Sequence, residues 1–354
     1  MDMHCFQVVR IIVVAFTALR LPCLFAGGAP SSAATRPPPT SVVWLIQDPE
    51  ATDAFRPRPD HIRKMVERGL THVTGKPDVT QAWRSLLSTQ DVVGIKVFSA
   101  PGLAGTRPEV VGALAETLLA AGLPGDHIVI WDKMTADLQA AGFVQLAKDL
   151  GVRVTSSHQA GYDDGLAYTN FFLGHLAWSD FEFNQTGDQI GKRSFFSKLV
   201  TKDLTKIVNV PPMLNQYRSG VVGCLYSLAM GSVDNTQRFE SAADRMAEAI
   251  PEIYAQEVLA DKVVLNVVDA LLAQYEGESQ TMLHYAATMN ELRFSKDPVA
   301  LDVLSLRDLE LLRQTNNAYA ATNFSASYQK LYRENATLLE LGNADLQRIR
   351  VERR

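Results

Sequence analysis

Cysteine is scarce in this chain. Its 354 residues hold three, Cys5, Cys23 and Cys224. No two are spaced Cys-x-x-Cys, so an intrinsic iron–sulfur cluster held by four cysteines is not expected. A long apolar run is lacking as well. Ile11 to Leu19 is too short to cross a bilayer, which takes about 20 residues, and Arg20 interrupts it. No long basic block occurs, and the formal net charge is -5, so nucleic acid is not an expected partner. The glycine loop at residues 99–106 is neither Gly-x-Gly-x-x-Gly nor Gly-x-x-x-x-Gly-Lys-Ser/Thr, which argues against dinucleotide and P-loop nucleotide binding. No His-x-x-x-His spacing points to a metal, and the sequence names no cofactor.

What is present is an ordinary globular composition. Hydrophobic residues make up 47% and charged residues 21%, enough to build one large core. The N-terminus has Arg10, the short apolar run and small residues from Ala26 to Ala29, the pattern of a secretory signal peptide over residues 1–26. An uncleaved anchor with Arg20 snorkelling is the alternative. Cleavage would leave no membrane span, an exported protein (periplasmic or extracellular) and Cys224 as the remaining thiol. Residues 27–40, rich in Gly, Ser and Pro, read as a linker. Residues 41–335 read as one α/β domain, and 336–354 as a charged, peripheral helical tail.

The most informative stretch is Asp91 to Trp131. Val92 to Phe98 is an apolar strand with Lys96 inside it, followed by a loop with two glycines. Thr106 and Glu109 have the spacing of a capping box, with Pro108 in the first turn. Val110, Val111, Leu114, Leu118 and Leu119 recur at helical spacing up to Gly122, and Ile128 to Ile130 begins the next strand. That is a right-handed crossover unit of a parallel sheet. Further strands are expected near residues 42–46, 152–155, 206–210, 262–268 and 292–295. Helices are expected near 60–68, 137–149, 241–257 and 297–313, the last capped by Asp297. The fold class is therefore α/β: a layered domain with a mostly parallel sheet flanked by helices. Residues 162–200, rich in aromatic and polar side chains, break the alternation as an inserted hairpin or lid.

Ligands of open α/β sheets bind beyond the carboxyl ends of the strands. Those ends carry Ser99, Asp132, Lys133, His158, Asn209, Asn266, Asp269 and Ser295. Lys96 is the unusual residue. A lysine in a buried strand requires a partner such as Asp132 or Asp269, and desolvation would fit it for base or nucleophile chemistry. Lys96, Asp132 and Asp269 are thus the candidate catalytic residues, and separate structural roles are the alternative. Asp302, one turn into the last helix, is a further carboxylate among apolar neighbours. Asn209, Asn215, Arg218, Asn235 and Arg238 offer donors for a polar or anionic ligand. An irregular helix with surface arginines is the alternative reading of that segment. The glycine loop before a helix N-terminus would suit an anion, although a capping box would use part of that capacity.

Taken in order, Gly94-Ile-Lys-Val97, Ile128-Val-Ile-Trp-Asp132, Asn209-Val-Pro with Gly220-Val-Val-Gly223 and Gly231-Ser-Val-Asp-Asn235, Asn266-Val-Val-Asp269 and Ser295-Lys-Asp-Pro-Val-Ala-Leu-Asp302 resemble the family called domain of unknown function 362. The resemblance covers about residues 85 to 310. It implies an α/β domain of unsettled biochemistry, some members of which carry ferredoxin-like segments or export signals. This chain resembles the exported type without the cluster cysteines. Many members carry a Lys-x-His pair after the proline strand. Leu214 and Gln216 stand there instead, which counts against lysine/histidine chemistry and electron transfer from that segment. Two readings stay open: an exported enzyme with a strand-end pocket for a small polar or anionic substrate, or a noncatalytic binding protein for such a ligand. The oligomeric state is not legible.

Overall fold

Strands covered by helices on both faces are apolar along their whole length, which makes them readable in sequence. Val93–Val97 illustrates this, for all five of its residues are buried. A computed structural model describes residues 40–318 and 328–354. The expected signal peptide and nearly all of the linker lie outside the described residues. The main strands are β1 Ser41–Gln47, β2 Val93–Val97, β3 Ile128–Asp132, β4 Arg153–Ser156, β5 Tyr162–Thr169, β6 Arg193–Ser197, β7 Lys206–Val210, β8 Pro212–Gln216, β9 Val263–Gln274, β10 Ala286–Ser295 and β11 Ile349–Arg353. The main helices are α1 Pro59–Thr74, α2 Pro108–Ala120, α3 Phe143–Leu150, α4 Cys224–Ser232, α5 Ala243–Tyr254 and α6 Pro298–Thr315.

The main sheet runs β11-β1-β10-β9-β7-β2-β3-β4, with β8 attached alongside β9. The pairs from β9 through β7, β2 and β3 to β4 are all parallel. β10 is antiparallel to both of its neighbours, and β11 is parallel to β1. The chain steps outward from β2 to β3 and β4, then returns to the other side of β2 as β7 and β9. The strand order therefore reverses between β2 and β7, where an open sheet of this type has its ligand crevice.

Alternate residues of the central strands feed two cores. Val93, Ile95, Ile130 and Val208 pack with α1, α2 and α3, whereas Trp131, Val129 and Ile207 pack with α4, α5 and α6. The protein is thus a three-layer α/β fold. The insertion is an antiparallel pair, β5 with β6, joined by residues 170–192, and Phe196 bridges to Val233 at its base. No helix among the described residues is long and apolar enough to cross a membrane.

Three local readings need correction. The Thr106/Glu109 capping box does not form. Arg107 is the N-cap of α2 and makes no side-chain cap, while the Thr106 hydroxyl donates to the Val210 carbonyl (2.7 Å) and accepts from the Phe98 amide (3.0 Å). Thr106 is used to tie the loop across the switch point instead. The helix expected over 137–149 is broken at Gly142, whose φ of 88° is a left-handed conformation open to glycine at little cost. The helical tail expected over 336–354 ends instead in β11, which pairs with β1 from Ser41↔Ile349 to Leu45↔Arg353. Ile349 and Val351 alternate with charged residues at period two, the signature of a half-buried strand. The Asp297 cap is as predicted: its carboxylate accepts the Ala300 amide at 2.8 Å, with Pro298 opening α6.

Candidate functional site

At the switch point the strand registers place a polar row across one face of the sheet. Lys96 pairs with Trp131 on one side and Asn209 on the other, and Asn209 pairs with Asn266. Helix α4 lies over this row. Lys96 is fully buried, yet its ammonium is satisfied. It reaches Asp132 Oδ1 at 2.8 Å, the Val97 carbonyl at 2.6 Å and Ser227 Oγ at 3.2 Å, three partners for its three donors. Burial pushes the Lys96 pKa below the usual lysine range, and the Asp132 carboxylate partly offsets this. Gly231 makes the arrangement possible. A Cβ there would lie 2.3 Å from Lys96 Cε and 3.2 Å from Asp132 Oδ1. Ser227 and Gly231 are four residues apart, so they share the face of α4 that covers the lysine.

The second oxygen of Asp132 accepts both the amide and the hydroxyl of Ser99, each at 2.7 Å. Asp132 is the most accessible member of this group, 8% exposed against 0% for Lys96 and 2% for Ser99. A carboxylate with three donors around it, a buried cation behind it and an edge open to solvent can accept or return a proton. Beyond Asp132, Lys133 sits half-buried with its ammonium on Thr236 Oγ1 at 2.8 Å. The His158 amide donates to the Lys133 carbonyl (3.1 Å), and the His158 ring meets Trp178 of the insertion edge-on at 4.9 Å. Ser157 Oγ donates to the Gly231 carbonyl at 2.7 Å. Sequence reasoning noted Ser99 and Lys133 as strand ends without giving them a role. Ser227 it missed, and Gly231 it noted only within the family pattern, since nothing in the sequence tells which strand their helix covers.

Asp269 stands apart from this group, on β9, with β7 between its strand and that of Lys96. Its Oδ2 accepts the Arg107 amide at 2.8 Å and lies 3.5 Å from the Arg107 guanidinium, while Oδ1 accepts the Leu271 amide at 3.2 Å. It therefore occupies the start of α2, where the sequence suggested an external anion. The guanidinium of Arg107 is used locally by the Gly105 and Leu103 carbonyls, each at 2.8 Å. A cleft of about 240 Å³ beside this loop is lined by Gly102, Arg107, Glu109 and Leu272 among others, and does not include Lys96 or Asp132. Burial pushes the Glu109 carboxyl up, and the nearby Asp269 adds to the shift.

The expected ligand donors are mostly structural. Asn209 Nδ2 donates to the Cys224 carbonyl (3.0 Å) and to Asn266 Oδ1 (3.2 Å), tying α4 to the sheet. Asn215 Oδ1 accepts the Glu278 amide at 3.0 Å. Asn235 Nδ2 donates to the carbonyls of Gly191 and Arg193 at 3.2 and 2.8 Å. Arg238 is buried rather than on the surface. It donates to Ser194 Oγ (2.9 Å), Asn170 Oδ1 (2.7 Å), the carbonyls of Tyr168 (2.8 Å) and Phe172 (3.2 Å), and that of Lys192, so it pins the insertion to the body. Arg218 is exposed, away from Lys96 in the strand order. Asp302 accepts the amides of Cys224 and Leu225 at the start of α4, and burial raises its carboxyl to about 7. Among the described residues no group of three or more His, Cys, Asp or Glu is placed to hold a metal ion.

A family model described as Domain of unknown function (DUF362) matches residues 93–307, more than half of the chain. The crystal structure of a Thermotoga maritima protein, a target of the Northeast Structural Genomics Consortium, is similar with a TM-score of 0.39 and 13% sequence identity. The match covers 75% of this chain and 60% of that one, so the chain spans less than two thirds of that protein. No curated protein shows significant similarity. The family match runs from the first residue of β2 into α6, across the strands that carry Lys96, Asp132, Asn209 and Asp269, and the chain belongs to the DUF362 family.

Proposed function

We propose that this DUF362 protein is an exported enzyme that moves a proton to or from a small polar or anionic substrate at the strand-end site, with Asp132 as the exchanging group. Lys96 and Ser99 hold and neutralise the carboxylate. The observation that carries this reading is the position of Asp132 at the carboxyl end of β3, beside the strand β2 that borders the reversal, joined to a fully buried lysine and to both donors of Ser99. A buried lysine with a lowered pKa near a strand end is the kind of perturbed group that recurs at active sites. Export is supported by the leader pattern of residues 1–26. Intact-mass measurement of the exported fraction is expected to find a chain without that leader, and a full-length chain confined to the cytoplasm would sink this part.

The site itself is tested by a thermal-shift screen of small metabolites against the wild type, Asp132→Asn and Ser99→Ala. Compounds that stabilise the wild type are expected to lose their effect on Asp132→Asn and to be weakened on Ser99→Ala. Any compound then found to be converted should turn over at least about a hundredfold more slowly in Asp132→Asn, the usual worth of a general acid or base. Equal responses of wild type and Asp132→Asn would remove the site. Binding that needs Asp132 but never leads to product would leave a noncatalytic binding protein.

A further inference from the structure

We infer that the substrate of this strand-end site carries a carboxylate, and that the Lys133 ammonium together with the Thr236 hydroxyl holds it. This rests on the site proposed above and adds the chemical class it takes. Lys133 directly follows Asp132 at the end of β3. Its ammonium has three donors, but among the described residues it makes one hydrogen bond, to Thr236 Oγ1 at 2.8 Å, and no ion pair. Lys96, by comparison, has three partners for its three donors. Thr236 is 5% exposed, and its hydroxyl accepts from Lys133 with its own proton uncommitted. Two ammonium donors and one hydroxyl donor thus remain for a ligand.

The surroundings select a single negative charge. Lys133 feels the carboxylates of Glu240, Asp180, Asp234 and Asp132, although burial outweighs them and lowers its pKa. Three of the four are engaged elsewhere. Asp180 accepts the amides of Ala177 (2.6 Å) and Asn235 (2.8 Å), Asp234 those of Phe181 (2.7 Å) and Phe195 (2.5 Å), and Asp132 is bound to Lys96 and Ser99. They do not pair with Lys133, yet their field opposes a phosphate dianion more than a carboxylate. An exposed tryptophan is linked to this strand end through His158. Trp178 is 67% exposed and packs edge-on against His158, whose amide is bonded to the Lys133 carbonyl. An exposed tryptophan at the rim of a polar site offers a face for the body of a ligand.

The test uses phenylacetate, its neutral analogue phenylacetamide, and phenyl phosphate, titrated into the wild type, Lys133→Met, Lys133→Arg and Thr236→Val at constant ionic strength. Wild type is expected to bind phenylacetate about tenfold or more tightly than phenylacetamide, the scale of a charged hydrogen bond. Lys133→Met should erase that preference, Lys133→Arg should keep most of it, and Thr236→Val should reduce it. Equal binding of acid and amide by the wild type, or an undiminished preference in Lys133→Met, would overturn the proposal. Tighter binding of phenyl phosphate would overturn the choice of carboxylate. If Lys133→Met does not fold, an unchanged preference in Thr236→Val overturns it as well. Because the readout is binding, an acid preference lost at Lys133 with no turnover dependent on Asp132 would fail the enzyme reading and leave the anion site. The converse result would fail the anion site alone.

Discussion

Lys96 shows how one residue can be costly and indispensable together. Taking an ammonium out of water costs several kcal/mol unless close partners compensate, and here all three donors are matched inside the core. The two members of the pair are not equivalent. Removing Asp132 leaves a buried cation with only a carbonyl and a hydroxyl. Removing Lys96 leaves a carboxylate that keeps both Ser99 donors and touches solvent. Asp132→Ala is therefore expected to cost about 3–5 kcal/mol of stability, Lys96→Met clearly less, and the double variant less than Asp132→Ala alone. Urea denaturation of the three variants measures this. Equal losses for the two single variants would show that pairing is not what holds the lysine. The lysine was legible in the sequence because a lone charge in an apolar strand stands out. Its partner was not, since the sequence puts both Asp132 and Asp269 at strand ends, whereas in the structure Asp269 lies inside β9 and only the strand order makes Asp132 the neighbour.

Among the elements, α4 is the one on which the site depends, because Ser227 and Gly231 reach it from that helix. Its start is fixed by Asp302 of α6, and Gly223 has a φ of 49° at the N-cap with its Cβ position 2.4 Å from Asp302 Oδ1, room for no side chain. Burial raises the Asp302 carboxyl from 3.8 to about 7. Between those values the folded protein keeps a proton that the unfolded chain has released. This contribution is thus fully present below the unfolded value and is lost as pH rises through the folded one. The stability of wild type relative to Asp302→Asn should fall steadily from about pH 4 to pH 7, as measured by unfolding at each pH. A difference that does not vary with pH would contradict a buried, proton-holding Asp302. This helix shows where sequence reading runs short. Strand–loop–helix units announce themselves by apolar runs and caps, whereas residues 209–239 are fixed by contacts from distant elements, among them Asp302 and the carbonyls that surround Arg238. Their polar side chains looked like ligand donors because nothing local shows what they bind within the protein.

Across the whole molecule, the described chain closes its sheet at one edge with its last residues and keeps the site near the other. The central parallel strands were readable because each is buried on both faces. The strand order was not, and it is the order that creates the switch point and sets β11 beside β1. β11 follows an irregular stretch and is short, so its charged residues dominated its composition and its period-two pattern was easily taken for a polar tail. In the structure it supplies the outer ladder of β1, extended by the Gln47 amide on the Arg354 carbonyl (3.0 Å) and the Arg354 amide on the Leu45 carbonyl (2.9 Å). It also sets the Arg354 guanidinium over the Trp44 ring, 5.6 Å from the centroid. Ending the chain at Arg348 would strip that ladder and expose β1 as an unpaired edge, a template for strand addition by another copy. The truncated protein is expected to melt at a lower temperature and to self-associate more than the full chain in sedimentation experiments. Its preference for phenylacetate over phenylacetamide should be unchanged, because β1 and β3 are separated by β10, β9, β7 and β2. Unaltered melting and association would mean that β11 does not protect the edge. A lost preference would mean that the two ends of the sheet are coupled, and that the site depends on the whole sheet rather than on the strands that carry it.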